Sequence, residues 1–305
     1  MRNLRTLFDL SSEEIQRIFA ITEDLKTKLA AGLREPLLPG RVMGLLFEKP
    51  SLRTRASFQA GMVHLGGSSM FLGDDTGFGK RESMADFAQV LSQYVDVICV
   101  RAFKQQVVDE LAHFASCPVI NCLTDDSHPC QALADLYTIR ELFGDFEGRT
   151  LAYVGDGNNV ARSLAVGCNK VGMKLVTVSP PGYELDEKFL DRLKQEVPGA
   201  EVTITNDPAE GVKNAAAVYT DVWASMGQEA EQKERRKIFA DYQVNTELMS
   251  HAPDEAVFMH CLPAHRGDEV TGDVLDSPRS VVIRQAGNRM HVQKGLLAWL
   301  LGAMT

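Results

Sequence analysis

The stretch FEKPSLRTRASF, residues 47–58, sets a proline and two arginines between an apolar run and an amphipathic one. The start of a helix already carries partial positive charge, so cations placed there call for an anion between them. Ser51, Leu52, Arg53 and Thr54 would offer that anion backbone N–H groups, two hydroxyls and a guanidinium. The alternative is that Arg53 and Arg55 pair with surface carboxylates. Arg101 closes the apolar run VDVICVR, where its charge either points at a ligand or forms a salt bridge at the rim. His128 and Gln131, three apart in SHPCQALADL, share the first turn of a helix with Pro129 near its first position. They either donate to a carbonyl oxygen or face water.

A second group follows. VGDGNNVARS (154–163) resembles a dinucleotide fingerprint but has Val160 where the third glycine belongs. The next apolar run ends VTVSP, without the carboxylate that would bind a ribose, which disfavours a nicotinamide site. Asn158 and Asn159 offer amide groups to a zwitterion instead. In TDVWASMGQE (220–229), Asp221 could hold an ammonium group, and the N–H groups of Ser225 and Met226 a carboxylate. FMHCLPAHRG (258–267) gathers His260, Cys261 and His265, but no fourth ligand is spaced for a metal and Pro263 breaks any helical presentation.

These residues need elements to hold them. Apolar runs at 41–48, 68–73, 95–101, 117–123, 150–155, 174–180, 201–207, 215–221 and 256–263 alternate with helical patterns. The alternation predicts an α/β protein with two doubly wound parallel-sheet domains and a ligand site in the cleft between them. Ser11 and Glu14 make a capping box for a first helix, and Phe58, Met62 and Leu65 form one face of another that stops at Gly66-Gly67. LFGDFEGRT (142–150) is the expected hinge, giving domains 1–143, completed by a C-terminal helix 286–305, and 144–285.

Bulk properties narrow the partners. The chain has 305 residues, 45% hydrophobic, 24% charged and a formal net charge of −9. That acidity argues against nucleic-acid binding, so the local basic clusters are expected to serve a small anion. No apolar run reaches membrane-spanning length, and the N-terminus turns acidic within its first fourteen residues, so neither a membrane nor a leader is expected. Six scattered cysteines without a CxxC pair read as reduced thiols in the cytoplasm.

SLRTR (51–55), Arg101, HPCQ (128–131), Asn159, DVWASMG (221–227), HCLP (260–263) and NRMH (288–291) occur in the order found in the ornithine branch of the aspartate/ornithine carbamoyltransferases. The chain resembles that family from about residue 5 to its end, and the SMG and HCLP elements separate it from the aspartate branch. The resemblance implies a first domain for carbamoyl phosphate, a second for L-ornithine, assembly as homotrimers, and no metal or organic cofactor. Carried over, Ser51, Leu52, Arg53, Thr54 and Arg101 resemble the phosphate cradle, and His128, Gln131 and Arg289 orient the carbamoyl end. Asn159, Asp221, Ser225 and Met226 resemble the ornithine clamp. Cys261 and Leu262 line the reacting amine and count among the carbamoyl phosphate contacts, and Arg101, His128, Asp221 and Cys261 are the expected catalytic set.

The chain departs from the family at two places. Many members have Thr at the position of Leu52. Relatives acting on N-acylated ornithines also carry Leu there, but the complete SMG element points to free ornithine. The loop GDDTGFGKRES (73–83) reaches a neighbouring active site in trimeric relatives, and here Lys80 or Arg81 would make its polar contact. The competing readings are a sibling transferase acting on an acylated ornithine or putrescine, and a non-catalytic small-molecule-binding protein.

Overall fold

Central strands of a parallel sheet are covered on both faces, so they read as unbroken apolar runs rather than as alternation. The computed structural model describes residues 2–73, 81–224 and 231–302, and among these residues nine strands form, central and edge strands together. The chain divides into two compact units, residues 1–137 with 287–305, and residues 138–286.

The first unit holds α1 (Ser12–Ala30), β1 (Val42–Phe47), α2 (Leu52–His64), β2 (Ser68–Leu72), α3 (Met84–Leu91), β3 (Val97–Arg101), α4 (Gln105–Phe114) and β4 (Val119–Leu123). It also takes the N-terminal part of α5 (Pro129–Phe143) and most of α12 (Val282–Leu300). The expected capping box is present: Ser11 accepts from the Glu14 N–H, and the Glu14 side chain accepts from that of Ser11. The strands pair in the order β2-β1-β3-β4, all parallel. β3 is buried throughout and β1 almost so, whereas the edge strand β2 is largely exposed. Leu46, Leu91, Ile98, Val100, Val108, Leu111 and Val119 pack together on one face. α2 buries Phe58 and Met62 and ends at Leu65, before Gly66 at φ +81°.

The second unit holds β5 (Thr150–Val154), α6 (Asn159–Val171), β6 (Lys174–Val178), α7 (Glu187–Glu196), β7 (Thr203–Thr205), α8 (Pro208–Val212), β8 (Ala217–Thr220), α9 (Gln232–Ile238), α10 (Thr246–His251), β9 (Val257–His260) and α11 (Gly272–Leu275). Its sheet runs β7-β6-β5-β8-β9, again all parallel. Ala152, Val154, Val178, Val218, Phe239 and Phe258 anchor its core.

In both sheets the chain winds outward on one side and then restarts on the other. The reversal lies between β1 and β3 in the first and between β5 and β8 in the second. Loops leaving the C-terminal ends of the strands at such a switch diverge and leave a crevice for ligands. Among the described residues no helix is long and apolar enough to cross a membrane.

Candidate active site

In the first unit Phe47 and Arg101, the last residues of β1 and β3, sit opposite each other in register. The turn after β1 leads into α2, whose N-cap is Ser51. Its Oγ accepts from the Thr54 N–H at 3.3 Å. That hydroxyl is therefore engaged in capping, and the remaining first-turn N–H groups, which a helix cannot satisfy internally, are what this end offers an anion. Leu52 points to solvent, Arg53 is half-buried and Thr54 is buried. Arg55 turns elsewhere: its guanidinium lies 3.8 Å from the centre of the Phe71 ring, and its Nε donates to Gln59 Oε1 at 3.2 Å. The expectation of an anion shared by Arg53 and Arg55 is thereby corrected, because helix residues two apart face different directions.

Behind α2, Arg289 of α12 donates from one Nη to Gln131 Oε1 and from the other to Thr54 Oγ1 at 3.4 Å. Gln131 in turn donates to Asp135 Oδ1 at 2.8 Å. His128 is the N-cap of α5, its carbonyl accepting from the Ala132 N–H. The reading in which His128 and Gln131 face water is overturned: they are 5% and 1% exposed, because α5 is buried around nearly its whole circumference. Burial first, then Arg289, Arg101 and Lys49, holds His128 well below the ordinary histidine range. The imidazole is therefore neutral at pH 7, able to donate from one nitrogen. Arg101 is buried at the end of β3.

Lys49 escaped the sequence reading. It is buried, its ammonium lies 4.5 Å from the centre of the Phe103 ring, and burial followed by Arg101 pulls its pKa down. Its only sequence signal is a lysine between an apolar strand end and a proline.

In the second unit Val154 and Thr220 end β5 and β8 in register, and Asp221 follows directly. Gly157 is required in the turn after β5, since a Cβ there would come within 2.5 Å of the Glu184 backbone. The glycine thus serves close packing rather than a pyrophosphate. Asn158 caps α6, its Oδ1 accepting from the N–H groups of Val160 and Ala161 at 2.9 and 3.1 Å and from the Tyr153 hydroxyl at 3.1 Å. That leaves its Nδ2 to donate to Asp221 Oδ2 at 2.8 Å. Burial, then Asp221, Asp156 and Cys261, raises the Tyr153 pKa well above its usual value, so its hydroxyl remains a donor. Asn159 is the first residue of α6, half-buried, its carbonyl accepting from Ser163 Oγ at 2.7 Å. The amide that reaches Asp221 is that of Asn158.

The other Asp221 oxygen accepts from Cys261 Sγ at 2.8 Å and from the Val222 N–H at 2.8 Å. Cys261 follows β9, and the next residue, Leu262, is the one non-glycine with positive φ among the described residues, at +57°. Its N–H donates to His260 Nδ1 at 2.8 Å, which leaves His260 Nε2 to donate to Glu269 Oε1 at 3.1 Å. Glu269 is fully buried and was not singled out in the sequence. Ser225, Met226 and Lys80 lie outside the described residues; Arg81 is exposed.

Two groups of side chains have the composition of a metal site, Asp221 with His260 and Cys261, and His265 with Asp268 and Glu269. Their atoms are engaged with protein: Cys261 with Asp221, His260 with Glu269 and Leu262, and Asp268 with Arg236 at 2.7 Å. His265 falls with Glu269 rather than beside Cys261.

Two family models match the chain. One, described as the aspartate/ornithine carbamoyltransferase carbamoyl-P binding domain, covers residues 2–141, and the other, the Asp/Orn binding domain, covers 147–300. The chain is 52% identical to the ornithine carbamoyltransferase of Geobacillus stearothermophilus, over 98% of this chain and 97% of the relative. It is 51% identical to that of Anoxybacillus flavithermus, over 98% and 96%. Among solved structures, the ornithine carbamoyltransferase from Pyrococcus furiosus superposes with a TM-score of 0.95 at 48% identity, covering 100% of this chain and 98% of that one. Ornithine transcarbamoylase from Giardia lamblia superposes at 0.90 with 30% identity, covering 100% and 99%.

Proposed function

Because the chain belongs to the aspartate/ornithine carbamoyltransferase family, we propose that it moves the carbamoyl group of carbamoyl phosphate onto the side-chain amine of L-ornithine, giving L-citrulline and phosphate. The observation that carries the donor half is a neutral His128 among Arg289, Arg101 and Lys49, a concentration of positive charge suited to a dense anion.

The phosphate binds the N-terminus of α2 with Ser51, Leu52, Arg53 and Thr54, and Arg101 joins them. Arg289 and Gln131, already bonded to each other, orient the carbamoyl end. Ornithine is held by Asn159, Asp221, Ser225 and Met226. Its side-chain amine titrates near a lysine's, at about 10.4 in water, and only the free base attacks. The nitrogen lone pair adds to the carbonyl carbon and makes an oxyanion, toward which Arg101, His128 and Thr54 donate. Losing one such donor typically costs about 2.7–4 kcal/mol of barrier. The bond to phosphate then breaks, and the departing phosphate takes the proton released by the attacking nitrogen. Cys261 acts as a thiol donor to Asp221 rather than as a nucleophile, orienting the carboxylate beside the incoming amine. Leu262 lines the reacting groups.

The six cysteines are free, five of them buried, which suits a reducing cytoplasm, and the family resemblance assigns the chain to trimers, readable by light scattering. The test of the reaction is citrulline formation by purified protein from carbamoyl phosphate and ornithine, with N-acetylornithine and putrescine as rival acceptors. Arg53→Ala should lose carbamoyl phosphate affinity and Asp221→Ala ornithine affinity in isothermal titration. Turnover of a rival amine only, or the opposite assignment of the two variants, overturns the reading.

A further inference from the structure

Arg235 takes no part in the chemistry above, yet it is a buried cation of the second unit held by three hydrogen bonds. It sits on the short, basic α9, where Arg236 and Lys237 follow it. Arg236 is exposed and pairs with Asp268, whereas Arg235 is buried. One Nη of Arg235 donates to both Asp156 Oδ2 and the Trp223 carbonyl, each at 2.9 Å. Its Nε donates to Glu231 Oε2 at 3.0 Å, and its guanidinium lies 5.1 Å from the centre of the Tyr183 ring.

These contacts close a ring. Asp156 is two residues before Asn158, which holds Asp221; Trp223 is two residues after Asp221; and Arg235 bonds both ends. The two loops that leave β5 and β8 at the reversal of strand order are thereby tied together twice. The Trp223 side chain is pinned as well, buried and stacked on Phe239 with centroids 6.0 Å apart. Ser225 and Met226 lie two and three residues further along the chain.

A buried ion pair contributes little net stability, because desolvation offsets the attraction, but a planar guanidinium that holds two loop acceptors on one Nη while Glu231 fixes its Nε defines geometry. We infer that Arg235, with Asp156 as its counter-ion, is a positioning residue that fixes the loop from Asp221 to Trp223 against the loop that carries Asn158, and so governs ornithine affinity without touching ornithine. The inference rests on the proposed reading of Asp221 as an ornithine-holding residue.

Steady-state kinetics of the full-length protein with each substrate varied separately provide the test. Arg235→Lys keeps the charge, but its single ammonium nitrogen cannot occupy the Nη and Nε positions at once and so cannot bond Asp156, the Trp223 carbonyl and Glu231 together. It should raise the ornithine KM by roughly 10- to 100-fold, the scale of a lost hydrogen bond to a charged group, with the carbamoyl phosphate KM within about twofold. Asp156→Asn should act in the same direction, and the double variant should be no worse than the poorer single one, since both act through one unit. Added guanidinium should restore ornithine affinity to Arg235→Ala. An unchanged ornithine KM in Arg235→Lys, or equal rises in both KM values together with a fall in Tm, overturns the inference. Asp221→Ala, measured alongside, keeps two failures apart. If it retains ornithine affinity, the site assignment is wrong; if it loses ornithine while the Arg235 variants do not, the clamp is wrong.

Discussion

Asn158→Asp isolates the contact that orients Asp221. Asp caps a helix about as well as Asn, so the bonds to the N–H groups of Val160 and Ala161 survive. What changes is the atom 2.8 Å from Asp221 Oδ2, which turns from an N–H donor into a second carboxylate oxygen. Two unit charges at that separation repel by about 6 kcal/mol at an effective dielectric of about 20. Holding one carboxyl protonated at pH 7 against an ordinary pKa of about 3.9 costs about 4 kcal/mol. Proton uptake is cheaper, so the pair shares a proton, and solvent at the half-buried position 158 brings the cost to about 2–4 kcal/mol. The sign follows. The folded pair binds its proton more tightly than the unfolded chain does, so the penalty is largest at pH 7 and shrinks by about 1.4 kcal/mol per unit as pH falls. By pH 5 less than about 1.5 kcal/mol remains.

For a unit of this size each kcal/mol shifts Tm by about 2–4 °C. Thermal melts should therefore place Asn158→Asp roughly 4–16 °C below the parent at pH 7 and within about 6 °C of it at pH 5. Asn158→Ala, which loses cap and donor but adds no charge, should show a gap independent of pH over this interval. A gap for Asn158→Asp that is equally wide at both pH values, or absent at pH 7, would refute the argument that the Asn158 amide orients Asp221.

Two further outcomes follow from the first unit. His128 is held below its unfolded value of about 6.5, so the unfolded chain takes up a proton first as pH falls, and the stability His128 confers is present above that value and lost below it. His128→Gln should flatten the stability profile below pH 6.5 by up to about 1.4 kcal/mol per pH unit; parallel melting curves for parent and variant would count against this. Arg289→Lys removes the fork that joins Thr54 to Gln131. It should raise the carbamoyl phosphate KM by roughly 10- to 100-fold while sparing that for ornithine, and a selective loss of ornithine would reverse the assignment.

The central strands were legible because burial on both faces leaves an apolar run that needs no partner to be seen, the exposed edge strands β2 and β7 only through their place in the alternation with helices, and the α1 cap because its box lies within four residues. Strand order was not, since β1 meets β3 through pairing that no local pattern encodes. That order explains why Arg101 shares a strand-end level with Phe47, the residue before the α2 turn, and why Asp221 meets Asn158. The burial of His128 and Gln131 was hidden for a related reason: a helix enclosed on every side has no polar face to betray which of its polar residues face inward. Asn158 is marked with Asn159 as an amide pair, and its bond to Asp221 follows from its place before a helix. An asparagine just before a helix spends its oxygen on the first N–H groups, which leaves the amide nitrogen as the free donor beside the strand ends. Arg235 and Asp156 carry no such signal, being 79 residues apart with nothing local to link them. Residues that follow strand ends thus announce themselves through the strands, whereas those that hold them in place come from elsewhere in the chain. A substitution at Arg235 is therefore the sharper test of the geometry, because no motif marks that residue for attention.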